Sequence, residues 1–286
     1  MRNEREMMEL LLDWTKNDPR VRLVTLEGSR ANRHIPRDAF QDYDISYFVT
    51  DMASFKESDG WLDRFGRRLM MQKPEDMELF PAELGNWFSY LLLFEDGNKL
   101  DLTLIPVEET EDYFAGSDGL VEVLLDKDGR APDDWRPDDR SYWIQPPTAR
   151  SFDDCCNEFW MSSTYVVKGL ARREWLFAID HLNEVARPNL LRMMAWQIGG
   201  ERGYTFSVGK NYKLIDRYLE PKDWEALLST YAEQDSDSLR RSLRTCYALF
   251  RQFSQAVAAR FGYPYPDYDE AITGYTDRIF SRHHCK

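Results

Sequence analysis

A chain of 286 residues, 43% hydrophobic and 30% charged, is long enough to bury the cores of two ordinary domains. Its 50 acidic residues against 37 basic ones leave a net charge of −13, which argues against DNA or RNA binding built on phosphate neutralisation. No uninterrupted apolar run reaches a membrane span, and the charged opening Met1-Arg2-Asn3-Glu4-Arg5-Glu6 lacks the apolar core of a secretion signal, so no membrane contact and a cytoplasmic location are expected.

Residues 4–17 carry Met7, Met8, Leu10, Leu11, Leu12 and Trp14 on a broad apolar face and predict a helix. Val21 to Leu26 is a β-rich run that stops at Gly28-Ser29-Arg30, and Tyr43 to Val49 is a second such run. A helix is expected over 55–70. Trp87 to Phe94 and Lys99 to Ile105 flank the polar turn Glu95-Asp96-Gly97-Asn98 and read as a β-hairpin. The stretch from Asp126 to Pro147, rich in Asp, Arg and Pro, reads as a connection. Beyond it helical periodicity dominates, with helices expected over 151–171, 173–199 (divided or kinked at Pro188), 210–219, 221–232, 236–261 and 268–281. The expected domains are 1–147, with strands and helices, and 148–286, helical.

Three short stretches carry chemistry. Gly28-Ser29-Arg30 follows a strand, where glycine permits a tight turn, Ser29 and nearby N–H groups suit phosphate oxygens, and a following helix would add its N-terminus. Asp42-Tyr43-Asp44 opens the second strand, and alternation places Asp42, Asp44 and Ser46 on one face with Tyr43, Ile45 and Tyr47 on the other. Adjacent carboxylates repel, and a divalent cation removes the conflict. In Leu100-Asp101-Leu102-Thr103-Leu104 the leucines form an apolar face and leave Asp101 on the polar one. Taken singly, the three also read as a turn, a turn continuing into a strand, and a solvated Asp. Together they suit nucleotidyl transfer, in which three carboxylates hold two Mg²⁺ ions, one orienting a triphosphate and one activating the attacking hydroxyl. Metal held by carboxylates also agrees with the scarcity of histidine (four residues, including His283 and His284) and with four cysteines, Cys155, Cys156, Cys246 and Cys285, that lack zinc-site spacing.

Gly28-Ser29-Arg30, Gln41-Asp42-Tyr43-Asp44-Ile45-Ser46 and Leu100-Asp101-Leu102-Thr103 resemble the nucleotidyltransferase superfamily related to DNA polymerase β. More narrowly, Leu23-Val24-Thr25-Leu26-Glu27-Gly28-Ser29-Arg30, Asn86-Trp87-Phe88, Phe152-Asp153-Asp154-Cys155-Cys156-Asn157-Glu158-Phe159-Trp160 and Ala178-Ile179-Asp180-His181-Leu182 resemble the aminoglycoside 6-adenylyltransferases, also called streptomycin adenylyltransferases. The resemblance extends over nearly the whole chain. It implies an α+β fold, a polymerase β-like mixed-sheet domain followed by a helical substrate-binding domain, and transfer of AMP from ATP to an aminoglycoside hydroxyl with Mg²⁺.

The resemblance further implies that the helical domain closes over the acceptor and that Asp180 takes the proton from its hydroxyl, with Asp42, Asp44 and Asp101 on the metal. From the residues alone, Asp180, Asn183, Glu184 and Arg187 share one helix face, equally a solvated polar face. Gly28, Ser29 and Arg30 are the expected nucleotide contacts, joined by Lys168, within the apolar stretch Tyr165 to Leu170, and by Lys210 after Gly209. Either lysine also reads as an ordinary surface residue. Asp267-Tyr268-Asp269 repeats the Asp-x-Asp spacing, but after Pro264 and Pro266 and before a helix it reads as a cap. Streptomycin carries guanidinium groups, so a net charge of −13 suits that acceptor. Another hydroxylated acceptor, or a nucleotide-binding protein without catalysis, are the competing readings.

Overall fold

The computed structural model describes residues 1–282 and divides them into two units, Met1–Ser141 and the segment from Tyr142 onward. His283, His284 and Cys285 lie outside the described residues.

In the first unit Asn3 and Glu6 cap α1 (Glu4–Asn17) reciprocally, each side chain accepting from the other's amide. Six strands follow: β1 (Val21–Glu27), β2 (Tyr43–Val49), β3 (Arg68–Gln72), β4 (Phe88–Phe94), β5 (Lys99–Pro106) and β6 (Val121–Asp126), in the order β3-β4-β5-β2-β1-β6. Neighbours are antiparallel except β2 and β5, which run parallel, so the sheet is mixed. The expected hairpin is β4–β5. Strand alternation sends Tyr43, Ile45, Tyr47, Leu100, Leu102 and Leu104 into one core with Met7 and Leu11 of α1.

The opposite face is graded. At one end Leu23, Phe48 and Ile105 are register neighbours and form a second core with Tyr113 and Phe114 of α4 (Thr110–Gly116). Next come Thr25, Ser46 and Thr103, a row of hydroxyls. Last come Glu27, Asp44 and Asp101, a row of carboxylates across three adjacent strands.

The helix expected over 55–70 is not there. A short α3 (Met52–Lys56) gives way to a 3-10 segment, Asp59–Phe65, and then to β3. Phe55, Leu62 and Phe65 are all buried, which is why the spacing reads as helical. Gly66, at φ +114°, stops any helix there, and pairing with β4 draws Arg68–Gln72 into the sheet as an edge strand.

The second unit is helical. Thr148 and Ser151 cap α5 (Ala149–Arg172), Asp235 and Ser238 cap α9 (Ser236–Phe261), and Phe159 stacks on Phe250 at 3.7 Å between ring centroids. Over 173–199, where a helix divided or kinked at Pro188 is expected, α6 (Trp175–His181) passes through a π-type turn, Leu182–Ala186, into α7 (Arg187–Arg202). The Arg187 amide reaches back to the Leu182 carbonyl, and this widened turn precedes Pro188, which has no N–H to continue the ladder. Residues 210–219 form two 3-10 turns, Lys210–Tyr212 and Ile215–Arg217, because Asn211 and Tyr212 adopt left-handed conformations that interrupt a helix. The remaining helices are α8 (Pro221–Ser229) and α10 (Tyr268–Arg282). Among the described residues no helix is long and apolar enough to cross a membrane.

The π-type turn also breaks up the expected polar face. Asp180 and Glu184 are exposed, but Arg187 is only 1% exposed. Its guanidinium donates to Asn183, to the Thr230 hydroxyl at 3.2 Å and to Glu233 at 2.9 Å. Arg187→Leu therefore strands a mostly buried Glu233 carboxylate and is expected to cost about 3 kcal/mol. A urea unfolding midpoint equal to the wild type's would contradict this. Asp269 is likewise structural: it accepts from Arg251 Nε at 2.7 Å and Tyr265 at 2.9 Å, so the second Asp-x-Asp is no metal site.

Candidate active site

The acidic row is assembled by register. Asp44 faces Glu27 on one side and Asp101 on the other, and Asp42 lies just before β2. Gly28 makes the turn out of β1 at φ +64°, and a Cβ there would come within 2.6 Å of Asp44 Oδ2. Glycine is thus required twice, for the left-handed backbone and for the close approach. The helix after it, α2 (Gly28–Ala31), is a single turn and contributes N–H groups rather than an extended dipole. Ser29 is half-buried in that turn.

Arg30 packs inward. It is 3% exposed, lies over the Tyr43 ring at 3.8 Å, and donates from Nε to the Asp42 carbonyl at 3.0 Å and from Nη2 to the Gln41 carbonyl at 2.8 Å. The guanidinium holds the segment that presents Asp42. Lys168 is exposed on α5, 5.7 Å from the Tyr165 ring, and Lys210 is exposed on its 3-10 turn. Both belong to the second unit, as does Asp180 on α6.

Electrostatics in the row are unfavourable without added positive charge. Burial, then the carboxylates of Asp101, Glu27 and Asp42, pushes Asp44 up to about 6, with Lys99 acting against them. Asp101 Oδ1 is buried without a hydrogen-bond partner. An oxygen-only donor set with one orphaned carboxylate oxygen fits a hard divalent cation. Among the described residues no group of three or more His, Cys, Asp or Glu side chains is already arranged to hold a metal ion.

Two groups at this site escaped the sequence reading. Glu27 accepts from the Tyr113 hydroxyl at 2.7 Å and from Thr25 at 3.0 Å. Lys99 donates to Asp42 at 3.0 Å and Asp101 at 2.6 Å. Alternation alone puts Lys99 on the face of Asp101, two residues on, so its signal was present. The buried thiols of Cys155, Cys156 and Cys246 are pushed up by burial, away from the reactive range.

The family model for streptomycin adenylyltransferase matches residues 1–279. The chain belongs to the streptomycin adenylyltransferase family. As a member of it, the protein is a nucleotidyltransferase. Relatives include an aminoglycoside 6-adenylyltransferase of Bacillus subtilis (strain 168), 68% identical over 280 residues, covering 98% of this chain and 99% of that one. Another, from Campylobacter jejuni, is 54% identical over 278 residues, with 97% and 96% covered. A third, from Staphylococcus aureus, is 46% identical over 275 residues, with 96% and 98% covered. The crystal structure of an aminoglycoside 6-adenyltransferase from Bacillus subtilis aligns over 100% of both chains at 62% identity, with a TM-score of 0.49.

Proposed function

We propose that this adenylyltransferase moves AMP from ATP to the 6-hydroxyl of streptomycin, releases pyrophosphate, and thereby inactivates the antibiotic. What supports the chemistry is the carboxylate row of Asp44 and Asp101 beside Asp42 and the Gly28 turn. The names of the three relatives support the acceptor class and the position. In the reaction the acceptor oxygen bonds to the α-phosphorus, the bond from that phosphorus to the bridging oxygen breaks, and pyrophosphate carries away the electron pair.

Asp42, Asp44 and Asp101 would hold Mg²⁺, which supplies charge neutralisation on the triphosphate and lowers the pKa of the hydroxyl. The chain's own part is positioning. Gly28 and Ser29 offer backbone and hydroxyl donors to phosphate oxygens, and Lys168 and Lys210 are the cationic contacts proposed for the triphosphate. Arg30 acts through the Asp42 segment rather than on the nucleotide. Asp180, whose carboxylate is exposed, is the base that receives the acceptor's proton. The helical unit is the proposed acceptor-binding part, and the net charge of −13 suits a cationic acceptor.

The direct test is mass spectrometry of streptomycin after incubation with protein, ATP and Mg²⁺. Gain of one AMP unit that requires the metal is expected; an unmodified antibiotic with folded, ATP-bound protein would rule out this acceptor. Asp180→Asn is expected to lower turnover roughly 10²-fold or more with ATP affinity kept, since proton removal contributes on that order. If ATP binding fell instead, Asp180 would not be the base.

A further inference from the structure

Three aromatic side chains gather on α5 and α6 of the second unit and stand outside its hydrophobic core. Tyr165 and Phe177 are 39% and 43% exposed. The half-buried His181 ring links them, its centroid 5.4 Å from that of Tyr165 and 4.1 Å from that of Phe177. Gly169 permits the arrangement. A Cβ there would crowd Phe177 Cδ1 at 3.1 Å and Ala178 Cβ at 3.0 Å, so glycine lets α6 lie close on α5. Lys168 flanks Tyr165, and the exposed Asp180 precedes His181. We infer that Tyr165, Phe177 and His181 are the platform that seats a cationic, hydroxyl-rich acceptor beside Asp180, the rings taking its guanidinium or ammonium groups and His181 Nε2 accepting from one of its hydroxyls.

The histidine tautomer fixes the polar half of the platform. His181 Nδ1 lies 2.8 Å from the Phe177 carbonyl oxygen, which can only accept, so Nδ1 carries the proton. In the neutral ring Nε2 is then a lone-pair nitrogen, a hydrogen-bond acceptor. The rings supply the other half, since a guanidinium or ammonium over an aromatic face is held by the ring's quadrupole. The exposed carboxylates of Asp180 and Glu184 add negative charge nearby, which draws a cation and opposes a polyphosphate. The support is stiff. Arg173, at φ +61°, ends α5, and the Glu174 amide donates to the Gly169 carbonyl at 2.8 Å, tying the start of α6 to the end of α5. Directly after His181 comes the π-type turn, a departure from regular helix that is frequent at functional sites.

The inference rests on the acceptor reading proposed above, and calorimetric titrations of the full chain with streptomycin and, separately, with ATP and Mg²⁺ keep the two apart. Wild type is expected to bind both. A chain that binds ATP but not streptomycin would overturn the acceptor reading and the platform with it. Tyr165→Leu and Phe177→Leu keep apolar bulk and lose a ring, and each is expected to weaken streptomycin binding about tenfold with ATP affinity unchanged. Phe177→Tyr, which keeps the ring, is expected to bind as wild type does. His181→Phe keeps a ring and loses Nε2, and is expected to weaken streptomycin binding about fivefold. Unchanged ATP affinity also shows that each variant folds. Streptomycin affinity unchanged in both Leu variants would overturn the platform while leaving the acceptor reading in place. Loss of ATP affinity instead, with circular dichroism intact, would give the rings to adenine. A wild-type dimer that Phe177→Leu dissociates would give them to a second copy of the chain, and either outcome overturns the proposal.

Discussion

Asp44→Asn and Asp101→Asn should each lose AMP transfer by roughly 10³-fold or more, the several kcal/mol that a correctly held cation contributes, while the fold survives. Survival follows from the electrostatics of the row. Asp44 sits at about 6 rather than 3.8 because burial and three neighbouring carboxylates oppose its ionisation. The folded protein therefore keeps a proton that the unfolded chain releases, and stability from this group is full below about pH 4 and lost as pH rises towards 6. Asp44→Asn removes that loss. In buffer free of divalent ions the variant should melt above wild type near pH 8 by a margin on the order of 1–3 kcal/mol, and the advantage should vanish below pH 4. Pyrophosphate release and paired thermal melts across pH measure both. Transfer within tenfold of wild type would remove these aspartates from the proposed metal site, and a variant that melts lower at pH 8 would refute the repulsion.

Gly28→Ala should be nearly as damaging, with a single methyl group. The backbone at φ +64° is strained for alanine by about 1–2 kcal/mol, and the new Cβ would meet Asp44 Oδ2 at 2.6 Å. The turn cannot yield freely, because the Gly28 amide donates to the Leu120 carbonyl at 3.0 Å. Asp44 must move, and displacing a positioning group by less than an ångström is expected to reduce turnover roughly 10²-fold. A steady-state comparison with wild type checks it. Unchanged turnover would show that the contact between Gly28 and Asp44 is not needed.

The same residues show what local sequence can and cannot carry. Alternation within β2 and β5 put Asp44 and Asp101 on polar faces, since a strand's period is a property of its own backbone. Helical periodicity marked α9, because a helix's inward spacing repeats along its own segment. Long stretches around Gly28 and Asp180 carried the family resemblance, and family membership follows from the whole length of the chain.

Tertiary structure decided what depends on partners far apart in the chain. Nothing in β5 says that it pairs in parallel with β2, yet that register alone brings Asp44 beside Asp101 and Lys99 beside Asp42. Nothing around Arg30 in the chain says that its guanidinium packs on Tyr43 and donates to the carbonyls of Gln41 and Asp42. Residues 55–70 have the apolar spacing of a helix, but β4 offers Arg68–Gln72 a ladder and Gly66 lets the chain turn into it. Local periodicity records which residues turn inward. Which elements they meet there is set by pairing and packing energies between distant segments, and the chemistry of the acidic row arises at that level.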